Sequence, residues 1–257
     1  MNIALSGSLA SLIMLLGLFR GGPGPQEFFV SHGLAKERVV GLLELPEILP
    51  QDGCGPAHPQ GISLYGAASK DRPPIASIEA RKPSNQPQDP SCASWDLAVR
   101  IPGGAAAGEE FPTDESGYET KAAVVYERLG RWYRIALQRG SAWVERANAE
   151  GFLAYPDSLT SDRFLNHMRN DWDGRLWQQA GVPTSAPVPA GWQRHLQGLI
   201  PIVVLETRTV RAESWVRVRL ETESCGNGLG DVTPTEGWIP AHRTSGATSV
   251  WFSSRGC

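Results

Sequence analysis

Several things are missing from this chain, and each absence removes a class of function. Its 24 Lys and Arg residues stand against 27 Asp and Glu, leaving a formal net charge of -3. A nucleic-acid surface needs clustered cations to displace counterions, so no nucleic-acid partner is expected. No H-E-x-x-H, Walker loop, G-x-S-x-G elbow or G-x-G-x-x-G follows any strand-like run, so none of the chemistries those motifs carry is expected. The five histidines (His32, His58, His167, His195, His242) are scattered, and no C-x-x-C pair or neighbouring His gives zinc-site spacing. Neither a cofactor nor a metal is expected, and no catalytic residue is assigned. Lysine is scarce, so arginine supplies most of the positive charge, which favours forked donors for carboxylates and flat stems that pack on rings.

Long apolar runs are nearly absent as well. Leu9 to Phe19 is uncharged and apolar, and Gly21-Gly22-Pro23-Gly24-Pro25 breaks any helix after it. Its length is that of a signal h-region and is short for a membrane span. No Lys or Arg precedes it and no Ala-x-Ala pattern follows, so cleavage and retention as an N-terminal membrane anchor both stay open. The expectation is export, to the periplasm or beyond, with residues 1–26 as signal or anchor plus linker.

Against these absences stand nine tryptophans and an internal repeat. The first copy reads Tyr126 to Leu137 through Trp132-Tyr133-Arg134-Ile135, then Gly140-Ser141-Ala142-Trp143-Val144. The second reads Leu205 to Leu220 through Trp215-Val216-Arg217-Val218, then Gly237-Trp238-Ile239. The short runs Ser63-Leu64-Tyr65 and Arg175-Leu176-Trp177, each ending in an aromatic before a Pro-containing loop, extend the correspondence upstream. Large residues alternate with arginines at period two, the pattern of strands with one face in a core. A helical pattern is read only at Asp157 to Asn170, with Ser161 or Asp162 as cap and Phe164, Leu165 and Met168 on one side.

The Gly-x-Trp-Tyr-x-Ile run at Gly130 to Ile135, with Ala142-Trp143-Val144, resembles the bacterial SH3-like (SH3b) domain family, as does Trp215-Val216-Arg217-Val218 with Gly237-Trp238-Ile239. The resemblance implies an all-β chain of two tandem SH3-like barrels, in residues 27–157 and 158–257, with long loops and one short connecting helix. Trp143 and Trp238 are then expected to plug the two barrels. Tyr65, Trp132, Trp177 and Trp215 are expected to flank a shallow groove able to stack on an extended or Pro-rich peptide.

Four cysteines beside a signal-like segment favour disulfides, with three pairings possible. Cys54–Cys92 and Cys225–Cys257 are preferred because each staples one copy of the repeat. Asn170-Asp171-Trp172-Asp173-Gly174 has the opening of a calcium loop but lacks the carboxylates to complete it, so turn chemistry is preferred. Glu109-Glu110 with Asp114-Glu115 reads as a solvated acidic stretch. The function expected is a non-catalytic exported binding or scaffolding module for a peptide, protein or cell-wall component. Two alternatives stand beside it: a small envelope hydrolase built on His242 or the acidic stretch, and a purely structural pair whose rings close on each other.

Overall fold

The computed structural model describes residues 38–45, 48, 61–81, 96–104, 108–117, 120–146, 150–161, 164–169, 172–195, 200–221, 223–224, 227–228 and 232–253. The period-two alternation is realised there as strands. The first stretch carries β1 (Gly41–Glu44), β2 (Ile62–Leu64), β3 (Ala76–Arg81), β4 (Asp96–Arg100), β5 (Glu109–Glu110), β6 (Asp114–Gly117), β7 (Thr120–Leu129), β8 (Trp132–Ala136), β9 (Ser141–Glu145) and β10 (Phe152–Ala154). The second carries β11 (Leu165–Met168), β12 (Arg175–Trp177), β13 (Ser185–Pro187), β14 (Ile200–Val210), β15 (Glu213–Leu220), the ribbon β16 (Glu223–Ser224) and β17 (Asn227–Gly228), β18 (Thr235–Pro240) and β19 (Val250–Ser253). Helix among the described residues is confined to two short 3-10 segments, Asp157–Thr160 and Ala190–His195. The chain is all-β, and none of its sheets closes into a barrel.

The repeat is legible in strand order and register. One sheet runs β10-β1-β7-β8-β9, with β6 also on β7, and a bridge between Tyr65 and Trp143 carries its β9 edge onto the sheet β2-β3-β4-β5. The other runs β19-β11-β14-β15-β18-β12-β13. Both hairpins carry a bulge in their first strand, between Val125 and Glu127 and between Val204 and Glu206, opposite the second and third residues after the tryptophan of the partner strand. Across four strands one row reads Glu127, Arg134, Trp143, Tyr65 in the first copy. The matching row reads Glu206, Arg217, Trp238, Trp177 in the second. Directly paired residues share a face, so these two rows are like surfaces. Gly237 lets β12 lie close, since a Cβ there would meet the Leu176 Cβ at 2.7 Å.

The sheets stack as three layers because the central one is apolar on both faces. Along β7, Ala123 and Val125 join Leu43, Leu64, Ile78, Tyr133, Ile135 and Val144 in one core against β2-β3-β4. Ala122, Val124 and Tyr126 face the other way and join Tyr155, Met168, Ile202, Val216, Val218 and Trp251. That second core is shared by both copies. A strand buried on both sides has no need of alternating polar residues, which is why β7 reads as a continuous run.

Two expectations are corrected. The helix read over Asp157 to Asn170 is a single 3-10 turn followed by strand β11. Phe164 and Met168 do enter the core, but so do Asn166 and His167, while Leu165 is 45% exposed. Pairing on both sides, to β14 and β19, satisfies the backbone that a helix would have satisfied internally. Trp143 and Trp238 belong to neither core cluster, which their strand neighbours Ala142, Val144 and Ile239 enter from the opposite face. Trp143 is half-buried, whereas Trp238 is buried, at 7% exposure, with Arg208 over its ring.

Candidate functional site

The four nominated rings assemble as two pairs. Tyr65 meets Trp132 edge-on at 5.4 Å and 90°, and Trp177 meets Trp215 edge-on at 5.7 Å and 76°. Trp132 and Trp215 start β8 and lie early on β15, while Tyr65 and Trp177 end the short strands that cross beneath. None of the four is a member of either core cluster, although Trp177 packs against the shared one. Trp132 and Trp215 are themselves buried, while Tyr65 and Trp177 are half-buried. The contacts that join the two copies run elsewhere, as set out below.

The surroundings of the two pairs differ. Opposite Trp132 stands Glu145, which takes ion pairs from Lys70 and, at 2.8 Å, from Arg131. Opposite Trp215 stands Pro240, which offers no charge. The second pair opens onto a groove of about 740 Å³ lined by Trp172, Trp177, Trp215, Pro240 and His242, with Arg38, Asp173 and Glu213 also on its wall. A smaller one of about 330 Å³ lies by Ser63, Pro74 and Arg100 in the first copy, away from Tyr65 and Trp132. Behind the groove, Arg208 lies 4.9 Å over the Trp238 ring and Arg217 pairs with Glu236 at 2.9 Å, which stiffens the outer face. Asp173 accepts the Arg175 backbone N–H at 3.1 Å, an Asx turn as expected for that loop. Asn170 and Asp171 lie outside the described residues.

His242 ties the groove to the seam between copies. Its Nε2 donates to the Val39 carbonyl at 2.6 Å, and its ring packs edge-on against Tyr155 at 5.1 Å. Burial holds it below the usual histidine range, and Arg38 adds to the effect against the pull of the Val39 bond. The resulting neutral ring is no cation at pH 7. Along the same seam Tyr155 donates its hydroxyl to Ala241 O at 2.8 Å and Val250 O at 3.1 Å, and burial pushes that phenol well above its usual range. Trp251 Nε1 donates to Asp114 Oδ2 at 3.0 Å. Burial lifts Asp114 to about 6, against the lowering donated bonds from Glu115 N–H and Trp251.

Asp114 therefore corrects the reading of the acidic stretch. Glu109 and Glu110 are exposed on β5, but Asp114 is half-buried and accepts hydrogen bonds from Trp251 and the Glu115 N–H. His167 also lies in the interior, and burial takes it down to about 4. Among the described residues there is no group of three or more His, Cys, Asp or Glu placed to hold a metal ion, and no helix long and apolar enough to cross a membrane. Cys54, Cys92, Cys225 and Cys257, the segment 1–37, His32, His58 and the side chain of His195 lie outside the described residues.

Sequence reasoning missed Trp172, Arg38 and Pro240 as groove residues. Pro240 had a signal: aligning the copies through Gly237-Trp238-Ile239 sets it against Glu145. Arg38 had none, because it reaches the groove only through the seam. Comparison with family models, with curated proteins and with solved structures gives no match.

Proposed function

We propose that the chain is a non-catalytic binding module of two SH3-like units, exported, whose second unit takes an extended peptide of the cell envelope in the groove beside Trp177 and Trp215. The observation that carries this is the open groove of about 740 Å³ walled by three indoles. Indole faces contribute large contact area at little conformational cost, the usual basis of peptide grooves. The matched order and register of the two copies support the SH3-like reading, and the apolar run Leu9 to Phe19 supports export. The hydrolase reading needs His242 bonded to a carboxylate or hydroxyl, whereas its partner is the Val39 carbonyl. The structural-pair reading needs the four rings to close the seam, which Tyr155, Trp251, His242 and Asp114 span instead.

The test is a titration of the whole chain with extended peptides, followed by tryptophan fluorescence. Binding is expected to weaken about tenfold or more in Trp177→Ala, since aromatic anchors carry most of such affinity. Binding that is indifferent to Trp177 would remove the groove from the account.

A further inference from the structure

Two residues that line the groove each carry a polar atom for which the described residues supply no partner. Trp215 Nε1 and His242 Nδ1 are both closed to solvent and make no hydrogen bond, and both residues line the groove. The protonation of His242 follows from its other nitrogen. The Val39 carbonyl can only accept, so Nε2 carries the hydrogen and Nδ1 of the neutral ring presents a lone pair. The groove therefore holds one spare donor, on Trp215, and one spare acceptor, on His242. Buried polar atoms left in this way are few in native proteins, and each calls for a partner.

We propose that these two atoms read the main chain of an extended peptide: a peptide carbonyl accepts from Trp215 Nε1–H, and a peptide N–H donates to His242 Nδ1. The inference rests on the groove being a ligand site and adds what the ligand must present there. Main-chain readout tolerates many side chains, so the groove selects for an extended secondary amide rather than for one sequence. Charge argues for a peptide over a neutral N-acetylated sugar. Arg38 and Arg243 together with Asp173 and Glu213 place both signs in the lining around the indoles, matching the mixed charges of a peptide, whereas a neutral sugar would use them only as hydrogen-bond partners. Since both atoms are closed off in the empty groove, a lining ring must turn aside as the peptide enters. In this proposal that ring is Trp177, half-buried and edge-on to Trp215, on a strand that pairs with β13 at three positions and with β18 at one. Turned aside, it stacks on the ligand.

The experiment titrates the whole chain with the blocked peptide acetyl-Ala-Glu-Ala-Lys-Ala-amide and with the same peptide N-methylated at one amide at a time. Fluorescence reads affinity, and the Trp215 indole N–H and His242 ring nitrogen resonances read the bonds. Trp215→Phe, which keeps a ring and deletes the N–H, is expected to weaken binding about threefold to tenfold, the range of one net hydrogen bond. N-methylation at one position is expected to do the same to the unaltered protein, so the result does not depend on any variant folding. If the peptide binds and Trp177→Ala weakens it, but neither Trp215→Phe nor any N-methyl group matters, this inference is overturned and the groove reading survives. If the peptide does not bind, or binds regardless of Trp177, both fall. If an N-acetylglucosamine dimer binds more tightly than the peptide and depends on Trp215, the peptide is the wrong ligand.

Discussion

The two copies share a frame and differ in what stands over it. In each, glutamate, arginine, tryptophan and a second aromatic line up across four strands at the same register and beside the same bulge. In the first copy Glu145 gathers Lys70 and Arg131 next to the Tyr65–Trp132 pair. In the second, Pro240 holds that place and the Trp177–Trp215 pair fronts an open groove. The lesson is that an aromatic frame does not by itself make a site. At the matching place in the third hairpin strand, Glu145 gathers the chain's own cations, whereas Pro240 carries no charge.

The strongest way to break the comparison is to attack the frame from its core side. Tyr133 is fully buried against Leu43, Ile78 and Val144, and Val216 is its counterpart in the shared core. Tyr133→Ala is expected to cost about 3–5 kcal/mol, as for other large aromatic truncations. Trp143→Ala, one strand over on the outer face, is expected to cost about 1 kcal/mol, because a half-buried ring leaves no closed cavity. Urea denaturation of both variants checks the order, and a reversed order would mean that the faces have been assigned the wrong way round.

That face assignment shows where sequence stops being informative. Alternation separates Trp132, Arg134 and Ala136 from Tyr133, Ile135 and Leu137, because successive side chains leave a strand on opposite sides. It does not say which set is inside, and large indoles look like core residues by size alone. The run Phe164, Leu165, Met168 fits one side of a helix as well as a strand with buried ends, and only the pairing partners β14 and β19 decide. The seam is beyond local reading altogether. Tyr155 reaches Ala241 over a separation of 86 residues, and His242 reaches Val39 over 203. The rings Tyr65, Trp132, Trp177 and Trp215 can be nominated from their places in the repeat, but their division into a charged pair and an open pair depends on neighbours such as Lys70 that the repeat does not align.

The next effect is set by pH and sharpens the contrast at the seam. Asp114, on β6 of the first copy, titrates near 6 in the fold, above the ordinary value of 3.8. A carboxyl raised by folding makes the native state bind the extra proton, so its contribution to stability is full below about pH 4 and is lost as pH rises through 6. His167, on β11 of the second copy, moves from 6.5 down to about 4. Its contribution runs the other way: full above about pH 6.5 and lost as pH falls through 4. Each amounts to roughly 3 kcal/mol by the conversion of a shift of about two pKa steps, so they offset each other between pH 4 and 6. The parent protein is expected to lose only a little stability on acidification there, from His242, which burial also holds below the histidine range. Asp114→Asn should unmask a loss on acidification and His167→Gln a gain, as read from denaturant midpoints at each pH. Parallel profiles for both variants would rule out opposing titrations.

The smallest energetic change should have the clearest functional consequence. Lys70 and Arg131 are more than half exposed, while the Glu145 side chain between them is only 14% exposed. Exposed ion pairs are worth about 0.2–1 kcal/mol each, so Glu145→Ala, which removes two of them, should lower stability by no more than about 2 kcal/mol. With the carboxylate gone, nothing holds the two cations beside Tyr65 and Trp132, and the first copy acquires the open aromatic corner of the second. Peptide stoichiometry, read by calorimetry, is then expected to rise from one site to two, the new site being the weaker because it lacks a counterpart of His242. The reverse exchange, Pro240→Glu, sets a carboxylate opposite Trp215 beside Arg38 and Arg243 and is expected to remove binding at the second copy. If stoichiometry stays at one in Glu145→Ala and affinity is untouched in Pro240→Glu, the difference between the copies lies in the loops that carry Lys70 and Trp172, and not at the paired position that separates Glu145 from Pro240.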